Sequence, residues 1–81
     1  MIKIYMKKLS LKEWEQLKAE AFLQTMEHPE LRIGQCLFNI LFEINSELAD
    51  SVRATDKDPF YASSLLDKRI HRFYDEIVEV K

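Results

Sequence analysis

One cysteine and two histidines are the first places to look for chemistry in this 81-residue chain: Cys36, His28 and His71. Nucleophilic catalysis needs a base within hydrogen-bond reach of the nucleophile and a third group to orient that base. The sequence offers no such arrangement around Cys36, and a thiol on the flank of an apolar helix is an ordinary small core residue. His28 precedes Pro29, where a histidine caps a helix end or faces water. A metal site needs three or four ligands, and His28, His71, Cys36 and the nearby acids lack the spacings that gather them. Asp56-Lys57-Asp58 echoes the first acids of a calcium loop. Tyr61 stands where that loop requires glycine, and Phe60 where it requires a ligand, so a turn is expected instead. With Gly34 the only glycine, a glycine-rich phosphate cradle is excluded. The expectation is a protein that is not an enzyme and takes no metal or cofactor.

Two other groupings point to recognition. Arg32, Gln35, Asn39 and Glu43 fall at i, i+3, i+7 and i+11, one polar line on an otherwise apolar helix. The plain reading is a solvent-facing strip with local pairs. The sharper one is a recognition line, or a hydrogen-bonded seam that sets register at a dimer interface. Lys68, Arg69 and Arg72, with His71, cluster at the start of the last predicted helix. Such residues hold phosphates or acidic partners. Asp75, Glu76 and Glu79 follow within two turns, and the first two can pair with Arg72 along the helix, which favours a solvated face. The seven residues Arg32, Gln35, Asn39, Glu43, Lys68, Arg69 and Arg72 are the candidate interaction residues.

The elements that must position them follow from spacing. Ile2, Ile4 and Met6 alternate with Lys3, Tyr5 and Lys7, the pattern of a short strand. No second strand signal accompanies it, so residues 1–9 form a strand that pairs with another copy, an extended arm, or an early turn of helix. Ser10 with Glu13 is a capping box. It opens a first helix from about Leu11 to Met26, with Leu11, Trp14, Leu17, Ala21 and Phe22 on one face. His28-Pro29 ends it, because the residue before proline avoids the helical region. A second helix is expected to start near Pro29. Its apolar arc is wide, comprising Leu31, Ile33, Leu37, Phe38, Ile40, Leu41, Phe42 and Ile44, so it is central and wrapped by neighbours. Gly34 on that arc costs about 1 kcal/mol against alanine. Close approach of another backbone, with the first helix the leading candidate, accounts for it. Asn45-Ser46 caps a short third helix, from Glu47 to about Arg53. Pro59 opens a turn capped by Asp58, dropping Phe60 or Tyr61 into the core. Ser64 with Asp67 reads as a second capping box, starting a last helix from Leu65 to about Val80. Leu66, Ile70, Phe73, Tyr74, Ile77 and Val80 form its buried face.

Composition sets the frame. The chain is 47% hydrophobic and 32% charged, with one Gly and two Pro, which excludes a collagen-like, low-complexity or intrinsically disordered chain. No apolar run reaches the ~18–20 residues that span a bilayer, and the start lacks the apolar stretch of a secretory signal. A single cysteine suits a reducing cytoplasm. Ordering the chain costs about 1.5 kcal/mol per residue, roughly 120 kcal/mol in all, which apolar burial must offset without a disulfide. A self-associating surface is therefore a reasonable prior. The net charge of −2 does not indicate a nucleic-acid or membrane partner. Its distribution is uneven: residues 1–18 carry five lysines against two acids, and residues 19–67 carry nine acids against three bases. Ordinary solvated surface explains this; attraction between arm and middle is the alternative.

From Arg32 to Tyr61 the chain reads Arg32-Ile33-Gly34-Gln35, then Leu37, Asn39, Leu48-Ala49, Arg53, Thr55 and Asp58-Pro59-Phe60-Tyr61. In these residues it resembles a group of small uncharacterised proteins of bacteria and their phages. Those proteins pair an Arg-x-Gly-Gln helix start with a Gly-Thr…Asp-Pro-Phe-Tyr connection. This chain has Ala54 where that pattern has glycine. The resemblance implies compactness and a phage or bacterial origin, and it supplies no catalytic residue. It also implies that Arg32, Gln35, Asn39 and Asp58 act together, with Arg32 pairing with Asp56 or Asp58 to pin the connection.

The sequence thus predicts a single all-α domain over residues 1–81, a compact bundle of about four helices with a short N-terminal strand or arm. The expected function is a small cytoplasmic protein-interaction module, a phage- or prophage-encoded modulator or inhibitor of a host protein, able to form a homodimer. The alternative is a nucleic-acid-binding regulator in which the second and third helices make a helix-turn-helix. Against that alternative, Glu47 and Asp50 on the would-be recognition helix repel phosphate.

Overall fold

Four helices make up the computed structural model, which describes residues 7–79: α1 (Leu11–Glu27), α2 (Ile33–Ile44), α3 (Ser46–Val52) and α4 (Lys68–Ile77). The architecture is a small all-α bundle. The expected strand over residues 2–8 lies mostly outside the described residues. At its inner end Leu9 makes an isolated parallel bridge to Val78 of the same chain. The Leu9 N–H donates to the Ile77 carbonyl at 2.8 Å, and Glu79 N–H donates to the Leu9 carbonyl at 2.8 Å. The two ends of the domain are therefore tied to each other.

The capping box starts α1 as expected. Glu13 N–H donates to the Ser10 hydroxyl at 3.1 Å, and the Glu13 carboxylate accepts the Ser10 N–H at 2.9 Å. The Ser10 backbone N–H first, and its side chain second, hold the Glu13 carboxyl below the usual carboxylate range. α1 ends where His28 N–H donates to the Gln24 carbonyl, one residue before Pro29.

α2 does not begin at Pro29. Leu31 N–H donates back to the His28 carbonyl at 2.9 Å, and Arg32 is extended as the helix N-cap. Residues 28–32 are used to reverse the chain so that α2 can pack against α1, and a helix starting at Pro29 would leave no residues for the reversal. α2 is the central element, with Ile33, Gly34, Cys36, Leu37, Phe38, Ile40 and Leu41 buried. Leu37 and Leu41 are completely covered, while Phe42 and Ile44 at its far end are 40% and 58% exposed.

Asn45 joins α2 to α3 without a spacer. Its N–H closes α2 on the Leu41 carbonyl at 2.7 Å, its Oδ1 accepts Leu48 N–H at 3.1 Å to start α3, and its Nδ2 donates to the Lys7 carbonyl at 2.9 Å.

The backbone that approaches Gly34 belongs to the turn after Pro59, and α1 is not involved. A Cβ at Gly34 would overlap the Pro59 carbonyl oxygen and stand 3.0 Å from the Ala62 Cβ. Gly34 N–H donates to the Ala62 carbonyl at 3.0 Å, and Ala62 N–H to that of Pro59 at 2.8 Å. Phe60 drops against the core while Tyr61 stays 69% exposed.

α4 begins three residues later than expected. The Ser64 hydroxyl accepts Leu66 N–H at 3.1 Å, a local turn rather than a capping box. Asp67 is the N-cap, and its carboxylate accepts Arg69 N–H at 2.8 Å and Arg69 Nη1 at 3.1 Å. With both oxygens engaged forward, it does not reach back to Ser64. Leu66, expected in the core, is 86% exposed, whereas Ile70, Phe73 and Ile77 are buried and Tyr74 is half-buried. Val80 lies outside the described residues. Among the described residues, no helix is long and apolar enough to cross a membrane.

Candidate functional site

α1 carries two apolar stripes. The inner one is Trp14, Leu17 and Ala21, all buried. Trp14 meets the rings of Phe73 at 6.0 Å and Tyr74 at 5.4 Å edge to face, a favourable aromatic geometry. The outer stripe is Ala19, Phe22, Leu23 and Met26, at i, i+3, i+4 and i+7, the spacing of a helix face that packs against another element. Nothing in the described chain covers it. Phe22 is 57%, Leu23 59% and Met26 64% exposed. Phe22 and Leu11, expected with the inner stripe, both turn outward. The outer spacing is legible in the sequence, but Phe22 lies between the two stripes on the helical wheel, so the wheel alone does not assign it.

An open groove of about 600 Å³ runs beside this face. Phe22 and Thr25 of α1, residues 29–33, and Ser63, Ser64 and Leu65 line it. Leu65 also borders a smaller hollow of about 260 Å³ against Trp14, Lys18 and His71. The close seating of the Pro59–Ala62 turn on Gly34 brings residues 63–65 alongside α1.

Within the chain, the predicted polar line stays at the surface. Arg32, Asn39 and Glu43 are exposed and Gln35 is half-buried. No hydrogen bond or ion pair joins them. Arg32 precedes α2 and places its guanidinium over the Tyr61 ring, 5.9 Å from the centroid. It does not pair with Asp56 or Asp58. Asp58 turns its carboxylate inward along its own connection, accepting Ala54 N–H at 2.8 Å and Phe60 N–H at 3.0 Å. Ala54 takes φ of 59°, the left-handed region that favours glycine.

The basic cluster is dispersed in the same way. Lys68, Arg69 and Arg72 are exposed, but Arg69 is held by Asp67 at 3.1 Å. Arg72 turns away from Asp75 and Glu76, its Nε donating to the Asp56 carbonyl at 2.8 Å. Glu76 lies 3.9 Å from Lys57 instead. On α3, Arg53 is paired with Asp50 at 3.2 Å and sits over the Phe38 and Phe42 rings at 5.4 and 5.2 Å. That leaves the exposed face of α3 with Glu47 and Asp50.

Cys36 is completely buried. Burial first, and the Glu30 carboxylate second, push its thiol above the ordinary range, which disfavours the nucleophilic thiolate. His28 is exposed with Nδ1 3.6 Å from Glu30, and His71 is exposed on α4.

Fold and site together define a class: a small helical bundle with an uncovered apolar helix face and an adjoining groove. Comparison of the chain with protein-family models, with curated proteins and with solved structures found no match in any of the three.

Proposed function

We propose that this chain is a small protein-interaction module, a modulator that acts by binding another protein through the outer face of α1. One observation carries the reading: Phe22, Leu23 and Met26 are each more than half exposed and lie on the same side of one helix. Scattered surface hydrophobics are normal, but a contiguous patch marks an interaction site. The adjoining groove extends the patch toward Leu65. The resemblance of residues 32–61 to small phage and bacterial proteins supports a phage- or prophage-encoded product that modulates a host protein. The helix-turn-helix alternative draws less support, because α3 offers phosphate two acids and an arginine already paired.

Affinity capture tests the proposal, using the native chain and a Phe22→Glu/Met26→Glu variant of equal melting temperature. A protein held by the native chain and lost by the variant is the expected result. Equal capture by both chains overturns it.

A further inference from the structure

Resting on that reading of the outer face of α1 as a binding surface, we infer that its occupant is a basic amphipathic helix of another protein. Its apolar side lies on Phe22, Leu23 and Met26, and its lysines or arginines meet Glu20 and Glu27. Charge is the first support. Between Lys18 and Arg32 the chain carries Glu20, Glu27 and Glu30 and no lysine or arginine. Lys18 is already paired with Glu15 at 3.2 Å, and Arg32 lies over the Tyr61 ring. Glu30 has His28 beside it at 3.6 Å. Glu20 and Glu27 are exposed, and among the described residues no ion pair or hydrogen bond engages either carboxylate. Leu23 stands three residues after Glu20 and four before Glu27, so both carboxylates adjoin it on the helix surface. The apolar stripe thus has an acidic margin along one side, the complement of a basic segment.

Position is the second support. Glu27 is the last residue of α1, and the last turn of that helix holds no basic residue. The C-terminal end of a helix carries partial negative charge, which favours cations and opposes a carboxylate. Glu27 therefore adds like charge to like, an arrangement that a cation from outside the chain relieves. Departures from such local preferences are expected at functional sites. The third support is size and shape. At 57%, 59% and 64% exposure, Phe22, Leu23 and Met26 leave roughly 350 Å² open, well under the ~800 Å² per partner of a standard interface between globular proteins. A single helix suits a patch of that extent. The spacing of Ala19, Phe22, Leu23 and Met26 is the one that receives another helix, and the unbranched Met26 adapts to the side chains laid on it.

Fluorescence anisotropy of labelled synthetic helices against the full chain tests the inference. The probe is an amphipathic helix of leucine and lysine, and its counterpart has glutamate in place of every lysine. The native chain is expected to bind the lysine peptide at least about tenfold more tightly than the glutamate peptide, the effect of two exposed ion pairs. Glu20→Lys/Glu27→Lys alters only exposed side chains and should reverse that preference. Phe22→Ser/Met26→Ser leaves every charge in place and should abolish binding of the lysine peptide. A native chain with no preference between the peptides overturns the inference, as does a preference unchanged by Glu20→Lys/Glu27→Lys. Retention of the lysine peptide by the Phe22→Ser/Met26→Ser variant overturns it too, by showing that charge alone attracts the peptide. A protein captured by the native chain, lost by Phe22→Glu/Met26→Glu and held equally by Glu20→Lys/Glu27→Lys leaves the binding-surface reading standing and removes only the basic partner.

Discussion

The two faces of α1 carry stripes of similar apolar character and opposite fate. The inner stripe closes against Phe73 and Tyr74 and is buried along its length. The outer stripe has the same helical spacing and ends in open surface. Nothing in the residue types of α1 alone separates them, and the difference lies in what the rest of the chain brings near. α4 delivers aromatic rings to one side. On the other side, the Pro59–Ala62 turn is drawn onto Gly34, and residues 63–65 line an open groove with Phe22 without covering it. A helix with one satisfied and one unsatisfied face behaves as a core element and a contact element at once.

Substitutions on the two sides should differ accordingly. Phe73→Ala empties the space against Trp14 and should cost about 4 kcal/mol in chemical denaturation; a loss under about 1 kcal/mol would mean the inner face is not what holds α1. Gly34→Ala forces a methyl into the Pro59 carbonyl and disturbs the Gly34-to-Ala62 hydrogen bond, with an expected loss of about 3 kcal/mol. Because that seating leads directly into the groove-lining residues 63–65, the same variant should also loosen the groove, read as faster amide exchange at Ser63–Leu65.

Replacing Ala54 works in the opposite direction. Its left-handed backbone is strained for any residue with a Cβ, so Ala54→Gly should raise stability by about 0.5–1 kcal/mol.

The capping box adds a pH dependence at the start of α1. Glu13 titrates lower in the folded chain than in the unfolded one. Its contribution is therefore fully present above the unfolded glutamate value of about 4.3 and is lost as pH falls through the lower folded value. Native chain and Glu13→Gln should converge in melting temperature on acidification over that window and differ above it. The smallest effect belongs to the outer face: Phe22→Ala should change monomer stability by less than about 0.5 kcal/mol, measured at a dilution where association is absent. A core-sized loss there would show that the outer stripe is covered within the chain.

Much of the fold was legible in the sequence, and the reasons differ element by element. The α1 start, its end before Pro29, the Asn45 cap and the burial of Leu37 and Leu41 all came from residues acting on near neighbours or from a single wide apolar arc. α4 was placed three residues early because Ser64 and Asp67 have the spacing of a capping box, and spacing does not show that Asp67 caps forward onto Arg69. The candidate site was less legible. Six of the seven candidate interaction residues are exposed and Gln35 is half-buried, but Arg32 and Arg72 reach Tyr61 and the Asp56 carbonyl, partners that no helical offset reveals. Phe22 sits at the boundary of two stripes on the wheel, and only the packing of the other helices turns it outward.

By itself, then, the sequence determined the helical character of the chain, the caps that begin α1 and α3, and the presence of one helix apolar enough to be central. These depend on hydrogen bonds and spacings within a few residues. Only the tertiary structure decided which stripe of α1 is covered, which backbone Gly34 admits, and where the long charged side chains are anchored. Those outcomes are set by contacts between segments far apart in the chain, whose geometry depends on how every helix and turn packs together.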